Sequence, residues 1–267
     1  MDFEKQLAFD LAASAYDEEF TNTPIGKLQR ERVHFFLTRS LSGQPLRILE
    51  INCGSGEDAV WMAKQGHQVV ATDASPKMIN QVRKKISENK LEAKISAAIC
   101  DFDDLKEKFQ SEKFDLIFSD FGGLNCVSGD ELEKLSEDFA ALLSGGGKFI
   151  AVIMGRKCWW ERFYFSMKGK LPQAFRRNSK EMIEAKIGDA TVPTWYYSPK
   201  EFQNLFLNEF EKIGVKPIGL FIPPSYLNPF FEKKKWLLSF LNLLEKMFSF
   251  SFLSNSADHF LIELIKR

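Results

Sequence analysis

The chain has 267 residues, 45% of them hydrophobic, and its 36 basic and 36 acidic residues balance to a formal charge of zero. This length can bury one sizeable core, and a neutral chain has no overall field that would attract nucleic acid or anionic lipid. The start lacks a basic region followed by an apolar core, no apolar run is long enough to cross a membrane, and the four cysteines form no C-x-x-C pair. We therefore expect one domain over residues 1–267, in the cytoplasm, with reduced cysteines and no metal.

The first predicted element is a helical region over residues 1–45. Thr23 followed by Pro24 is typical of an N-cap and a first helical residue, which predicts a helix through about Leu41. The segment before it contains the tripeptide Ala15-Tyr16-Asp17.

The next stretch, Ile48 to Ala59, reads I-L-E-I-N-C-G-S-G-E-D-A, in which an apolar strand runs into a glycine-rich turn that opens a helix. Gly54 and Gly56 allow the backbone to approach a ligand closely at the carboxyl end of the strand. A second apolar run ends in Asp73, about 20 residues further on, where an acid can accept hydrogen bonds from the two hydroxyls of a ribose. The pattern predicts a nucleotide-type cofactor site.

The same stretch matches G-x-G-x-x-A, so a nicotinamide or flavin dinucleotide is the first alternative. A pyrophosphate would lie at the N-terminus of the helix that begins near Glu57. Glu50, Glu57 and Asp58 place negative charge there, which disfavours a pyrophosphate and favours a cationic ligand with an ammonium or a sulfonium group.

These residues resemble the class I S-adenosylmethionine-dependent methyltransferases, whose first motif is commonly E/D-x-G-x-G-x-G and here runs from Glu50 to Gly56. Asn52 replaces the first glycine, and asparagine is one of the few other residues that tolerate a positive φ. Later landmarks of the family follow in order: Cys100-Asp101-Phe102 after a third strand, Ser119-Asp120-Phe121 with Gly122-Gly123 after a fourth, and Gly145-Gly146-Gly147 before a fifth strand.

The resemblance implies an α/β, Rossmann-like fold with a seven-stranded, mostly parallel sheet, an antiparallel last strand and helices on both faces. The cofactor-binding core would cover residues 46–154, with N-terminal lid helices over it and two insertions, 155–197 and 223–257. The implied cofactor is S-adenosylmethionine. The residues expected to contact it are Tyr16, Arg30, Glu50, Asn52, Gly54, Ser55, Gly56, Asp73, Ala74, Met78, Cys100, Asp101, Phe102, Ser119 and Phe121.

The first insertion is rich in aromatic residues, which commonly build pocket walls and also hydrophobic cores. We predict substrate contacts within it, with Trp159, Trp160, Tyr196 and Tyr197 as the named candidates. Basic residues between the aromatics also suit single-stranded nucleic acid, but they are few in a neutral chain, so nucleic acid is disfavoured.

A helix is predicted from Ser198 and a strand from Val215 to Ile222. Residues 230–253 then form a helix with a wide apolar arc, which we expect to be almost entirely buried against the sheet edge or the lid. A subunit contact and a membrane surface, behind Lys233-Lys234-Lys235, are the alternatives. The final strand, His259 to Ile265, is expected to form the sheet edge.

Methyl transfer from a sulfonium chiefly needs alignment and exclusion of water, so no catalytic side chain is required. His259 is the one histidine we would test as a general base for an acceptor of high pKa. The function we predict is methylation of a small, partly apolar metabolite at oxygen, nitrogen or carbon. A dinucleotide-dependent oxidoreductase and a non-catalytic S-adenosylmethionine-binding module are the alternatives, and the oligomeric state is open.

Overall fold

A computed structural model of the chain describes residues 9–11, 13, 16–187 and 190–267. Within them, a seven-stranded sheet has the order β3-β2-β1-β4-β5-β9-β8, and a separate hairpin pairs β6 with β7. Only β9 runs antiparallel to its neighbours, β5 and β8. The strands are β1 (Arg47–Ile51), β2 (Gln68–Asp73), β3 (Ile95–Ile99), β4 (Phe114–Ser119), β5 (Leu143–Met154), β6 (Ile183–Ile187), β7 (Ala190–Thr194), β8 (Phe210–Ile218) and β9 (His259–Lys266).

The central strands are apolar on both faces because helices cover both sides of the sheet. In β1, Leu49 and Ile51 pack into the hydrophobic core on one face, whereas Ile48 packs into the core on the other. This alternation follows from the two-residue repeat of a strand, and continuous apolar runs are typical of buried parallel strands. The predicted fold, including its antiparallel last strand, is confirmed.

Four of the helices begin at a side-chain N-cap, namely Thr23, Ser75, Ser128 or Ser198. Thr23 accepts a hydrogen bond from the backbone of Gly26 at 3.0 Å, and Pro24 is the first helical residue, so the predicted helix is confirmed. The helices are α1 (Pro24–Ser40), α2 (Glu57–Lys64), α3 (Pro76–Asn89), α4 (Leu105–Lys108), α5 (Gly129–Leu142), α6 (Trp159–Met167), α7 (Leu171–Ala174), α8 (Pro199–Leu205), α9 (Asn228–Phe231) and α10 (Lys235–Met247).

Two of the strand predictions were wrong in position. The last strand is not the edge, because β9 lies between β5 and β8, and β8 forms the edge. β8 also begins at Phe210 rather than Val215 and ends at Ile218. Its first half is mostly exposed and polar, with a register irregularity between Lys212 and Gly214, so it lacks the apolar run that marks the buried strands.

The expected burial of the helix in the second insertion was also wrong. α10 buries Leu238 and Glu245, whereas the large apolar residues on its opposite side face outward. Among the described residues, no helix is long and apolar enough to cross a membrane.

Candidate cofactor and acceptor site

A cavity of about 300 Å³ opens at the carboxyl ends of the parallel strands. Its walls come from the turn after β1, the end of β2, the segment after β3, the loop after β4, the end of β5 and the β6–β7 hairpin. Ligands bind at this edge in open α/β sheets because the strand-to-helix turns converge there.

The turn after β1 adopts the left-handed conformations that its sequence predicts. Asn52, Gly54 and Gly56 have φ values of 50°, 53° and 82°. Gly54 lines the cavity, but Gly56 does not, and a Cβ atom at Gly56 would lie 3.0 Å from a methyl group of Val82 on α3. Gly56 therefore allows the two helices to pack rather than contacting a ligand.

Asn52 joins the ends of β1 and β4. Ser119 Oγ donates a hydrogen bond to Asn52 Oδ1 at 2.6 Å, and Asn52 Nδ2 donates to the carbonyl oxygen of Asp120 at 2.8 Å. Ser119 is fully buried and does not line the cavity. The predicted cofactor contact of Ser119 is thus replaced by a role in holding Asn52.

Asp73 lies at the centre of the cavity wall. Its two carboxylate oxygens accept hydrogen bonds from the backbone of Gly54 and of Ser75, each at 2.9 Å. Burial raises the pKa of Asp73 to about 6, although these two hydrogen bonds oppose the shift. The carboxylate is therefore fixed in place and ionised at neutral pH.

Beyond Asp73, the cavity is lined by Ala74, Met78, Cys100, Asp101 and Phe102. Burial raises the pKa of the Cys100 thiol to about 11, so it is neutral and not a nucleophile at physiological pH. These apolar and acidic groups form a slot at the β2–β3 side of the sheet.

A group of buried acids lies at the other end, beside Asn52. Glu50 and Asp120 both have pKa values raised well above the usual range, first by burial and then by the charge of Asp58 among other neighbours. Glu50 Oε2 has no hydrogen-bond partner among the described residues. An unpaired buried acceptor is costly, so this position is suited to a cation.

Arg30 of α1 provides the positive charge within this group. Its guanidinium pairs with Asp58 and lies 3.8 Å from Asp120 Oδ2. His34 Nε2 lies 2.6 Å from the other oxygen of Asp58. Burial alone would raise the pKa of Asp58, but Arg30 and His34 lower it.

Glu57 and Asp58 do not leave the uncompensated negative charge that was predicted for them. Glu57 pairs with Lys85 at 2.6 Å, and Asp58 is compensated by Arg30. Both acids at the start of α2 are therefore neutralised by partners distant in sequence. The remaining acids are Glu50, whose Oε2 has no hydrogen-bond partner among the described residues, and Asp120, which was not among the predicted contacts; the pKa of each is raised, so a bound cation would favour their ionised forms.

The N-terminal segment covers the turn after β1. Asp17 accepts hydrogen bonds from Ser55 Oγ at 2.5 Å and from Lys85 Nζ at 2.7 Å, and these bonds fasten the segment to the turn and to α3. Tyr16 lines the cavity beside Gly54. Ala15, the first residue of the predicted tripeptide, lies outside the described residues.

Phe121 separates His259 from the cavity. Phe121 has a positive φ of 34°, which is rare for a bulky residue, and its ring lines the cavity. The His259 ring packs edge-on behind it, with centroids 5.4 Å apart, and lies next to Asp258. His259 does not line the cavity, so it is not placed to take a proton directly from a bound molecule.

Comparisons with known proteins agree with this geometry. A family model described as a methyltransferase domain matches residues 48–147. The demethylmenaquinone methyltransferase of Clavibacter sepedonicus is 30% identical over 145 residues, which cover 53% of this chain and 54% of that protein. That of Bacteroides fragilis is 31% identical over 141 residues, covering 52% and 55%. The chain thus spans about half the length of the curated relatives it matches.

A solved structure of a methyltransferase from Methanosarcina mazei, which uses S-adenosylmethionine, superimposes with a TM-score of 0.58 at 16% identity, over 86% of this chain and 96% of that one. Residues 48–147 thus match a methyltransferase-domain model, and the chain has the same fold as the methyltransferase from Methanosarcina mazei. The cavity and the recess beside it offer a carboxylate anchored at Asp73, an unpaired buried acid at Glu50 and the guanidinium of Arg30, which are groups that fit the S-adenosylmethionine expected from the sequence.

Most of the predicted cofactor residues come together in the structure. Arg30, Glu50 and Ser55 line a small recess that continues from the cavity past Asn52, whereas Gly56 and Ser119 line neither. Those that line the main cavity are Tyr16, Asn52, Gly54, Asp73, Ala74, Met78, Cys100, Asp101, Phe102 and Phe121.

The four aromatic residues predicted to contact substrate do not line the cavity. Trp159 is largely exposed, and Trp160 Nε1 donates to the carbonyl oxygen of Phe221 at 3.1 Å. Tyr196 packs beneath Arg177, and Tyr197 donates to the carbonyl oxygen of Val127 at 2.8 Å. Their packing assigns them to the protein's own core and surface.

A further group of residues that were not predicted to contact a ligand also lines the cavity, and of this group only Gly122 and Gly123 were noted in the sequence, as a family landmark. The first insertion contributes through its β6–β7 hairpin rather than its aromatic residues, and the remainder comes from the loop after β4, from α5 and from the end of β5. The sequence signal for this hairpin was a pair of short segments that contain β-branched residues, Ile183–Ile187 and Ala190–Thr194, separated by two residues. The residues are Gly122, Gly123, Cys126, Val127, Glu131, Leu135, Met154, Ala185, Lys186, Val192 and Thr194.

Proposed function

We propose that this protein transfers a methyl group from S-adenosylmethionine to a small, partly apolar metabolite. The observation that carries the proposal is the continuity of the cavity. One cavity is lined by the carboxylates of Asp73 and Asp120, by Gly122, and by apolar side chains such as Val127, Leu135 and Val192.

In this proposal, the carboxylate of Asp73 accepts hydrogen bonds from the ribose hydroxyls, and the slot of Met78 and Phe102 holds the adenine, with Asp101 near its amino group. Glu50 and Asp120 face the ammonium group of the methionine part, and Arg30 lies where it can attract the carboxylate. Tyr16 closes the site from above.

Bound S-adenosylmethionine supplies an electrophilic methyl group. In the displacement, the carbon–sulfur bond would break as a bond forms to an electron pair of the acceptor, which is a lone pair on oxygen or nitrogen and a π or carbanion pair on carbon, so S-adenosylhomocysteine would leave and an acceptor proton would go to solvent. The protein holds the two molecules in line and excludes water. No described side chain is required to form a covalent bond, and oxygen, nitrogen and carbon acceptors all fit this scheme.

The acceptor end of the cavity favours an apolar molecule. Its walls are largely aliphatic, with Lys186 and Glu131 as polar groups at its margin. The curated relatives are named for demethylmenaquinone, which supports an acceptor with apolar character. Nucleic acid has no support in the neutral composition. A cytoplasmic location fits the four cysteines, which are all buried.

Calorimetric titration with S-adenosylmethionine, S-adenosylhomocysteine and NADH in parallel tests the proposal. We expect the two adenosyl compounds to bind and NADH to give no heat. Binding of NADH alone would instead assign the protein to the oxidoreductases. Methyl transfer from radiolabelled cofactor to a panel of apolar acceptors then separates an enzyme from a non-catalytic S-adenosylmethionine-binding module.

A further inference from the structure

An apolar stripe runs along the outer side of α10. Trp236, Phe240, Leu243 and Met247 recur at helical spacing on one face and are 73%, 52%, 54% and 61% exposed. Phe250 and Phe252, which follow the helix, stack on each other 5.7 Å apart and are also exposed. Contiguous exposed apolar surface of this kind marks interaction sites.

The inner side of α10 is held against the rest of the protein by buried contacts, so the apolar stripe must face outward. Glu245 is buried, and its carboxylate accepts hydrogen bonds from the backbone of four consecutive residues, 219–222, at 2.6–3.3 Å. Leu238 packs with Ile25 of α1 and with Ile222. The helix places a carboxylate inside and large apolar groups outside, which is the reverse of an ordinary surface helix.

The charge around the stripe is positive. Lys233, Lys234 and Lys235 are exposed at the start of the helix, and Lys246 is exposed near its end. Between residues 228 and 256 the sequence has only two acids, and one of them, Glu245, faces inward. The outer surface of this segment is therefore cationic as well as apolar.

We propose that α10 docks this protein on an anionic membrane surface, with its apolar stripe in the interface and its lysines at the lipid headgroups. Tryptophan, phenylalanine and leucine beside lysine are the residues that interfacial helices use. A second copy of this chain fits less well, because a symmetric contact through the same face would bring lysines of the two copies together, cluster against cluster if the helices run parallel and cluster against Lys246 if they run antiparallel. The inference is independent of methyl transfer.

The position of α10 relates the docking surface to the opening of the cavity. The segment leaves the sheet after β8, whose carboxyl end lies at the same edge as those of β1, β2, β4 and β5, where the cavity opens. Docking through α10 brings this edge of the sheet towards the lipid. An apolar acceptor dissolved in the membrane would then be near the cavity.

Co-sedimentation of the full chain with vesicles tests the proposal. Phosphatidylcholine vesicles with and without phosphatidylglycerol are compared, and we expect binding only to the anionic ones, with weakening as salt increases. The double variant Trp236→Ser/Phe240→Ser and the triple variant Lys233→Glu/Lys234→Glu/Lys235→Glu should each lose at least about tenfold in binding.

Matched controls lie on β3, which is the outermost strand on the side of the sheet opposite β8, and on α3. Ile99→Ser removes an exposed apolar residue of β3, and Lys84→Glu reverses an exposed charge. Both should bind vesicles as the unaltered protein does, and all variants should retain its circular dichroism. Equal losses in controls and α10 variants, absence of vesicle binding, or a dimer that Trp236→Ser/Phe240→Ser dissociates would each overturn the proposal.

Discussion

The side chain of Asn52 occupies the space that a Cβ atom of Gly123 would need. A Cβ atom placed on Gly123 would lie 2.4 Å from Cγ of Asn52, well inside van der Waals contact. Asn52 in turn holds the ends of β1 and β4 together through Ser119 and the backbone of Asp120. The asparagine that departs from the family motif and the glycine after β4 are therefore a matched pair.

Gly123→Ala should lower the free energy of unfolding by about 1–3 kcal/mol, because the added methyl group overpacks against Asn52. In an Asn52→Gly background the space is free, and the same substitution should cost much less. Urea unfolding of both single variants and the double variant measures the coupling. Strictly additive effects would contradict the pairing.

Most of the residues predicted from the β1–β4 part of the sequence do line the cavity or its recess, although Gly56 and Ser119 do not, because the features that mark them are local in the sequence. An apolar strand followed by glycines, or by an acid such as Asp73, fixes both the element and its position at the sheet edge. The positive φ of Asn52 followed from the same kind of reasoning and is confirmed.

Features that depend on tertiary partners could not be predicted. The charge of Asp58 is compensated by Arg30, 28 positions away, and Tyr197 donates to Val127 across 70 positions. The apolar arc of α10 was predicted to be buried, because such an arc normally packs against a core, but it faces outward. Only the packing of Leu238 and the buried bonds of Glu245 reveal which side faces the protein.

Asp73→Asn should weaken S-adenosylmethionine binding by about tenfold to a hundredfold, because charge-assisted hydrogen bonds to the ribose are worth about 1.5–3 kcal/mol. The amide keeps one oxygen to accept a backbone hydrogen bond, so the fold should survive. Calorimetry measures the affinity, and Asp130→Asn, at an exposed position on α5, is the control. Unchanged affinity in Asp73→Asn would remove the ribose assignment.

Cofactor affinity should depend on pH through the same carboxylate. Burial raises the pKa of Asp73 to about 6, so the ionised form that accepts ribose hydrogen bonds is lost as the pH falls through that value. The raised pKa values of Glu50 and Asp120 act in the same direction on the ammonium group. We expect roughly tenfold weaker binding at pH 5 than at pH 7, and a smaller change in Asp73→Asn. A flat profile for the unaltered protein would count against the assignment.

Arg30→Met should destabilise the protein by about 3–5 kcal/mol, because it leaves Asp58 and Asp120 as buried acids without their guanidinium partner. Arg39→Met, on the exposed side of the same helix, should have little effect. Thermal and urea unfolding compare the two. If both variants are equally stable, Arg30 does not compensate the acids. Adding Asp58→Asn to Arg30→Met should recover part of the loss.

Two substitutions near the apolar end of the cavity should separate packing from acceptor binding. Tyr197→Phe leaves the carbonyl of Val127 without its donor in the core and should cost about 1–3 kcal/mol of stability. Because Tyr197 does not line the cavity, neither cofactor affinity nor the KM of an acceptor should change.

Val192→Phe should change acceptor binding, because Val192 lines the cavity near Cys126 and the added ring narrows the acceptor end. We expect the KM of an acceptor to rise at least about tenfold while S-adenosylmethionine affinity stays the same. Initial-rate measurements with an acceptor from the radiolabel panel give KM, and calorimetry gives the affinity. A rise in KM for Tyr197→Phe but not for Val192→Phe would contradict this assignment and would indicate that the acceptor binds at the aromatic residues of the first insertion.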